Sequence, residues 1–238
     1  MQMTNSTVSE QVAPLVKKSV LVIDDHPLLR QGIAMLINQQ TDLRVCGEAE
    51  DMRIALQCIV QLNPDIIVLD ISLKGPDGLE VLKTIRATNP DIPVLVLSMH
   101  DEAIYADRAL RARANGYIMK QEATEKVLVA IRRILEGEVY LSEAMSKKLL
   151  QQFIDGTSSP LESRVAALSD RELEVFRLIG EGRATREIAE ELHLSVKTVE
   201  TYQAHIKEKL GLKSGRELIQ HAIQWKINGK VEAPKQSS

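Results

Sequence analysis

Three aspartates, a serine and a lysine stand where this sequence could do chemistry. Asp24 and Asp25 follow a run of four apolar residues, Val20 to Ile23; Asp70 ends a second apolar run, Ser98 a third, and Lys120 follows a short fourth. Adjacent carboxylates repel, so a pair at the end of an apolar run calls for a positive visitor. If Asp70 joins them, a hard divalent cation with oxygen ligands relieves the repulsion, and Mg2+ is the obvious candidate. Asp70 then has a role the pair lacks, because a carboxylate can attack a phosphoryl group and hold it as an acyl phosphate. The metal and Lys120 would neutralise the phosphoryl oxygens, and the Ser98 hydroxyl could donate a hydrogen bond to one of them. Singly these residues are ordinary: Asp caps turns, Ser bonds nearby backbone and Lys is solvated. Together, each at the end of an apolar run, they point to one pocket.

Convergence requires a particular scaffold. In open parallel sheets the functional crevice lies beyond the carboxyl ends of the strands, so the runs must be parallel neighbours. The runs are SVLVID, LRVCGEA, DIIVLDI, IPVLVLS and GYIM, and four of the five are too continuous to be half exposed. Between and after them, PLLRQGIAMLINQQ, DMRIALQCIVQLN, GLEVLKTIRATN, EAIYADRALRARAN and ATEKVLVAIRRILEG carry apolar residues three or four apart, the helical spacing. The pattern predicts an α/β fold of five β-α units. Pro27, Pro64 and Pro90 fit its helix starts and stops.

The chain of 238 residues suits two modest domains. A net charge of −3 neither announces nor excludes nucleic acid, and 3% aromatic residues argue against stacking platforms for single strands. Cys46 and Cys58 show no metal or redox spacing and read as buried thiols. Residues 1–17 read as a disordered tail, and no run approaches a membrane span, so the chain reads as cytoplasmic. After Gly137, VYLSEAMSKKLLQQFIDG predicts another helix, and TSSPLESRVAA reads as the linker. From Leu168 the pattern turns all-helical, with four short helices. Ser169 and Ser195 stand at N-cap positions, and Glu172 follows Ser169 at the capping-box spacing.

VIDDHPLLRQG, DIIVLDISLKGPDGLEVL, VLVLSMHD and GYIMK together resemble the receiver domain of bacterial two-component response regulators, in the NarL/LuxR-type (NarL/FixJ) branch. The resemblance covers nearly all of residues 19–225. It implies a (βα)5 flavodoxin-like receiver over residues 18–137 with a five-stranded parallel sheet, a helix and linker over 138–165, a LuxR-type helix-turn-helix domain over 166–230 and a tail over 231–238. It further implies that Asp70 is the phosphoacceptor, that Asp25 and Asp70 ligate Mg2+ with Asp24 helping through water, and that the Ser72 carbonyl supplies another ligand. Ser98 is implied as the switch hydroxyl, Lys120 as the phosphoryl-binding cation and Tyr117 as the aromatic switch. Lys74 departs from the family's frequent proline, and RARANGY from its usual glycine-alanine turn. Ser72 and His100 would flank the phosphoryl group and bear on its lifetime, unless both are plain loop residues. His26, a histidine with no ligand-spaced partner, is read as neither catalytic nor metal-binding.

TREIAEELHLSVKTVETYQAHIKEKLG pairs two helices across a short turn, the arrangement whose second helix enters a DNA major groove. Ile188, Ala189, Leu192, Val199, Ile206 and Leu210 would face inward, leaving Lys197, Glu200, Thr201, Ala204 and Glu208 on another face. From Val196 to Arg216, five basic residues stand against two glutamates, an excess that favours phosphates modestly. The stretch resembles the LuxR-type DNA-binding domain. By that likeness Lys197 and Thr198 would contact phosphate, Glu200, Thr201 and Gln203 would lie near base edges, and Lys207 and Lys209 would add phosphate contacts. GRELIQHAIQW would mediate dimerisation, with Trp225 in core or interface.

The resulting expectation is a transcription regulator whose DNA binding is controlled by aspartyl phosphorylation. It is not an enzyme beyond supporting its own phosphoryl transfer and dephosphorylation. Its expected partners are a sensor histidine kinase, double-stranded promoter DNA, a second copy of the chain when phosphorylated, and RNA polymerase. Two rivals remain: a DNA-binding regulator that works unphosphorylated with a merely structural receiver, and an aspartate-dependent phosphohydrolase. The haloacid dehalogenase type of the latter wants a carboxylate two residues past the nucleophile, where this chain has Ser72.

Overall fold

The computed structural model describes residues 16–71, 73, 78–99, 102–155, 164–165 and 167–229. Five strands, β1 (Lys18–Ile23), β2 (Leu43–Ala49), β3 (Ile66–Asp70), β4 (Val94–Ser98) and β5 (Gly116–Met119), alternate with helices α1 (Pro27–Asn38), α2 (Met52–Leu62), α3 (Gly78–Thr88), α4 (Glu102–Arg111) and α5 (Ala123–Leu135). All strand pairs are parallel, in the order β2-β1-β3-β4-β5. The chain leaves β1 for the β2 edge and returns to β3, so the switch point falls between β1 and β3.

Side chains alternate across the strands and divide the core into two layers. Val20, Val22, Ile66, Val68, Leu95 and Leu97 pack with Ile33, Ile37, Val127 and Ile131 of α1 and α5. Leu21, Ile23, Ile67, Leu69, Val94 and Val96 pack on the other side with Ala55, Ile59, Leu82, Ile85 and Ala106. Burial on both faces is why β1, β3 and β4 read as unbroken apolar runs. The edge strand β2 is only partly covered. Cys46 sits there, at the register shift opposite Val20 and Leu21, with its Sγ 3.4 Å from the Val20 carbonyl oxygen. Contrary to the expectation of buried thiols, Cys46 and Cys58 are half-buried, because an edge strand and its covering helix leave one side open.

The opposite edge is partly closed by the chain beyond α5. Tyr140 bridges Gly116 in parallel: its N–H donates to the Asn115 carbonyl and its carbonyl accepts from the Tyr117 N–H, both at 2.9 Å. A Cβ on Gly116 would stand 2.9 Å from that Tyr140 oxygen, so the strand must begin with glycine. Helix α6 (Glu143–Asp155) follows. Its lead-in is held to the receiver where the Ser142 N–H donates to the Glu102 carboxylate of α4 at 3.0 Å.

Four further helices, α7 (Asp170–Gly180), α8 (Thr185–Glu191), α9 (Val196–Leu210) and α10 (Gly215–Gly229), form the carboxyl-terminal bundle. Ser169 and Glu172 close a reciprocal capping box on α7, and Ser195 caps α9 through the Thr198 N–H. Ile188, Ala189, Val199, Ile206 and Leu210 are buried, and Leu192 is partly so. Trp225 is half-buried and packs against Phe176 with ring centroids 5.6 Å apart. Helices α7 and α10 meet closely at Gly180, where a Cβ would lie 2.6 Å from the Ala222 carbonyl oxygen.

One buried carboxylate sets the pose of α9 within this bundle. Glu172 of α7 accepts from its own cap, the Ser169 N–H, at 2.7 Å and from Lys209 Nζ of α9 at 2.6 Å. Burial pushes its pKa up, but the bonds from Lys209 and the cap outweigh that and hold the carboxyl below its usual range. The folded pKa therefore lies under the unfolded value of 4.5, so the stabilisation is complete above that pH and is lost as pH falls through the folded value. Glu172→Gln is expected to lower the stability of the bundle by about 2 kcal/mol at neutral pH in urea unfolding. The gap between variant and parent should close as the pH is taken below the carboxylate range.

Candidate functional site

Each pocket residue is placed by the end of a strand. Past β1 the Asp24 N–H still donates to the Ala49 carbonyl at 3.0 Å, which keeps the carboxylate in line with the sheet. The chain then turns as the His26 N–H donates to Asp24 Oδ1 at 2.8 Å, and Pro27 opens α1. Arg30, one turn on, donates to the Asp24 carbonyl at 2.5 Å. Asp70 closes β3 beside Leu97, and Ser98 closes β4 beside Met119. Lys120 opens a short 3-10 turn directly after β5. The order β1-β3-β4-β5 makes these four ends consecutive neighbours, the condition the sequence reading required.

Asp24, Asp70 and Ser98 are at most 1% exposed and Lys120 only 6%. The Lys120 ammonium lies 2.7 Å from Asp70 Oδ2 and 2.8 Å from Asp24 Oδ2. Burial without partners would cost each of these charges several kcal/mol, and pairing recovers that only with close geometry of this kind. Three carboxylates against one ammonium leave the pocket with surplus negative charge, and ligand atoms of Asp24, Asp25, His26 and Asp70 all lie within 4.8 Å of one another. An oxygen-rich, net-negative cluster fits a divalent ion such as Mg2+. The expected contribution from the Ser72 carbonyl lies outside the described residues, as do Lys74 and His100.

Sequence reasoning left His26 out of the pocket; the structure puts its ring inside it. Nδ1 stands 3.1 Å from Asp24 Oδ1, 2.9 Å from Asp25 Oδ1 and 3.8 Å from Asp70 Oδ2. Ligand-spacing rules look for partners a few residues away, whereas here one partner is 44 positions distant. The adjacency of His26 to the acid pair was the available signal. Tyr117 is 1% exposed on β5, in the core layer that also contains Tyr105, Ala106 and Ala109 of α4.

The second site is the face of α9. Lys197, Glu200, Thr201, Ala204 and Glu208 are exposed, Thr198 and Gln203 half-buried. Thr198 is engaged with the cap, its hydroxyl 2.7 Å from Ser195 Oγ. Gln203 donates from Nε2 to the Thr185 hydroxyl at 3.2 Å, bracing α9 against α8. Lys207 is half-buried, and Lys209 is the residue bound to Glu172. The receiver and the carboxyl-terminal bundle are joined by a contact that sequence reasoning did not find. Arg108 of α4 pairs with Asp170 of α7 at 2.6 Å and donates to the Leu168 carbonyl.

Comparison with known proteins follows this division of the chain. Residues 20–132 match the response regulator receiver domain, and residues 166–222 match the luxR family of bacterial regulatory proteins. The oxygen regulatory protein NreC of Staphylococcus carnosus (strain TM300) is 37% identical over 212 residues, covering 87% of this chain and 98% of NreC. RcsB from Salmonella enterica serovar Typhimurium, solved on promoter P1flhDC with the phosphomimetic BeF3-, aligns with a TM-score of 0.57 at 26% identity, over 88% of this chain and 100% of RcsB. A structure of two RcsB dimers on two parallel DNAs aligns with a TM-score of 0.52 at 26% identity, over 87% of this chain and 98% of that one.

Removing the ammonium should expose the electrostatic strain of the pocket. Lys120→Met leaves two buried carboxylates without their cation and is expected to destabilise the receiver by about 3 kcal/mol. Mg2+ should restore more stability to the variant than it adds to the parent, as read by thermal melts with and without the ion.

Proposed function

The chain belongs to the response regulators that join a receiver domain to a LuxR-type DNA-binding domain, and from that premise we propose that phosphorylation of Asp70 controls the binding of α9 to promoter DNA. The observation that carries this reading is the buried Asp70 carboxylate, held by Lys120 beside a cluster that suits a divalent cation. Asp70 Oδ attacks the phosphorus of a donor, either the phosphohistidine of a cognate sensor kinase or a small acyl phosphate. The bond from phosphorus to the donor breaks, and the donor leaves with its electron pair. Asp25 and Asp70 with the Ser72 carbonyl, and Asp24 through water, would hold Mg2+, which would neutralise charge on the phosphoryl oxygens. Lys120 shifts from carboxylate to phosphoryl oxygen, and Ser98 donates a hydrogen bond to another. The receiver thereby supports its own phosphoryl transfer and its own hydrolysis, and no other catalysis.

The readout runs through the elements that bear the switch residues. Ser98 precedes α4, and α4 carries Glu102 and Arg108, the residues tied to Ser142, Leu168 and Asp170. Tyr117, already buried beside α4, repacks when Ser98 shifts toward the phosphoryl group, and its backbone N–H is the donor to Tyr140. Movement of Ser98 and Tyr117 therefore acts on the contacts through which the receiver (18–137) and the segment 138–165 hold the reader (166–230). On DNA, Lys197 and Thr198 contact phosphate, Glu200, Thr201 and Gln203 lie near base edges, and Lys207 and Lys209 add charge at the backbone. Ile219, Ile223 and Ile227 form an exposed apolar stripe at intervals of four on α10, which supports pairing of two copies on two half-sites. A promoter-bound dimer of this kind would meet RNA polymerase.

Mass spectrometry after treatment with acetyl phosphate and Mg2+ should place one phosphoryl group on Asp70 and none on Asp70→Asn, with promoter DNA bound more tightly by the phosphorylated chain. Phosphorylation that leaves DNA affinity unchanged would favour the regulator with a merely structural receiver. Arg108→Ala should raise the DNA affinity of the unphosphorylated chain at least threefold in fluorescence anisotropy. The Arg108→Asp, Asp170→Arg double variant should return it toward the parent value.

A further inference from the structure

The clustered carboxylates stand at the ends of β1 and β3, yet it is β2 that holds the backbone carrying the acid pair. The Asp24 N–H donates to the Ala49 carbonyl at 3.0 Å, and the Asp24 carbonyl accepts from Arg30 Nη1 at 2.5 Å. The same guanidinium donates from Nε to Glu48 Oε2 at 3.2 Å, and Glu48 is the residue before Ala49. Both backbone polar groups of Asp24 are therefore tied to adjacent positions on β2, one directly and one through Arg30. A peptide unit is planar, so anchoring the Asp24 carbonyl also fixes the N and Cα of Asp25, from which the Asp25 side chain starts. Arg30 itself is mostly buried, and its backbone N–H donates to the His26 carbonyl at 3.0 Å, so the turn and the first turn of α1 are held as one piece.

From this geometry we infer that Arg30 is a positioning residue for phosphorylation: held between Glu48 and the Asp24 carbonyl, it aims the Asp24 and Asp25 carboxylates and so sets the affinity of the pocket for Mg2+. It acts through the turn and touches neither the ion nor the phosphoryl group. A guanidinium suits the task because its donors form a rigid planar fork that can serve two acceptors in fixed directions. Its charge is answered by Glu48, which is half exposed on β2, while the side facing the turn meets a neutral carbonyl. The negative surplus of Asp24, Asp25 and Asp70 over Lys120 is thereby left for the cation. A lysine at this position has a single ammonium on a flexible stem and would serve the two acceptors less rigidly. The inference rests on this pocket being the cation site of the proposed function.

The test is isothermal titration of the full-length protein with Mg2+, together with the rate of Asp70 phosphorylation by acetyl phosphate across a series of Mg2+ concentrations, for parent, Arg30→Gln, Arg30→Lys and Glu48→Gln. Arg30→Gln should bind Mg2+ about tenfold more weakly, the loss that follows removal of a group that orients metal ligands from behind. Its phosphorylation should need correspondingly more Mg2+ for half the maximal rate, yet reach within about twofold of the parent rate at saturation. Glu48→Gln keeps the carbonyl bond and loses only the charged anchor, so it should shift the Mg2+ dependence in the same direction by less, and Arg30→Lys should recover part of the affinity. A folded Arg30→Gln with the parent's Mg2+ affinity, or one whose saturated rate falls as far as its affinity, would overturn the positioning role and leave the phosphorylation reading standing. Should Arg30→Gln fail to fold, parent-like Mg2+ affinity in both Arg30→Lys and Glu48→Gln would overturn it equally. A parent that neither binds Mg2+ nor takes a phosphoryl group would overturn the cation pocket itself.

Discussion

One ammonium between two buried carboxylates is the constraint on which the remainder of this molecule is arranged. Lys120 sits 2.7 Å from Asp70 and 2.8 Å from Asp24, with all three groups nearly excluded from solvent. Charges in such a place survive only if partners arrive with good geometry, and here they arrive from β1, β3 and the end of β5. That demand dictates parallel strands with aligned carboxyl ends. It also leaves the site net negative, since Asp25 adds a third carboxylate. Surplus charge is what gives the pocket its appetite for a cation, and a carboxylate held at the bottom of it is positioned to react.

The same elements that build the pocket hold the other half of the chain. Tyr117 presents its side chain to the core and its backbone N–H to Tyr140. Helix α4 grips Ser142 with Glu102, and Leu168 and Asp170 with Arg108. The buried apolar cluster that includes Tyr105 and Ala106 also includes Met145, Val165 and Leu168 before it enters the reader. A change at strand ends therefore has short mechanical routes outward. The reader repeats the pocket's logic on a smaller scale: Glu172 is a buried carboxylate whose lysine partner comes from another helix, and their bond sets how α9 is presented. The face of α9 that carries Lys197, Glu200, Thr201, Ala204 and Glu208 remains exposed while the receiver and reader are in contact, so the contact bears on orientation rather than on covering that face.

Much of the fold was legible because burial leaves a periodic mark. SVLVID, DIIVLDI and IPVLVLS read as strands since helices cover both faces, and LRVCGEA read less cleanly because it is an edge. Ser169 and Ser195 announced their helices by cap chemistry that operates within four residues. The pocket was legible in its residue types, and the structure adds the His26 ring as a neighbour of its carboxylates. His26 was set aside because its partners were sought at ligand spacing, while the fold supplies one from another strand. Gln203 and Lys209 were assigned to DNA contact by resemblance rather than by spacing, and in the structure one braces α8 and the other binds Glu172. Spacing tells which side of a helix a residue lies on, and not whether a long side chain reaches around it.

The amino-acid order alone determined the succession of strands and helices, the polar residues at or just past the ends of β1, β3, β4 and β5 and the capped starts of α7 and α9, because those preferences act over a few neighbouring residues. Tertiary structure alone decided that β3 lies beside β1, that Lys120 meets Asp24 as well as Asp70, that the His26 ring turns inward, and that Arg108 reaches Asp170. Those outcomes depend on crossovers and packing between residues 44 to 96 positions apart, where no local preference chooses the partner and the burial of two core layers does.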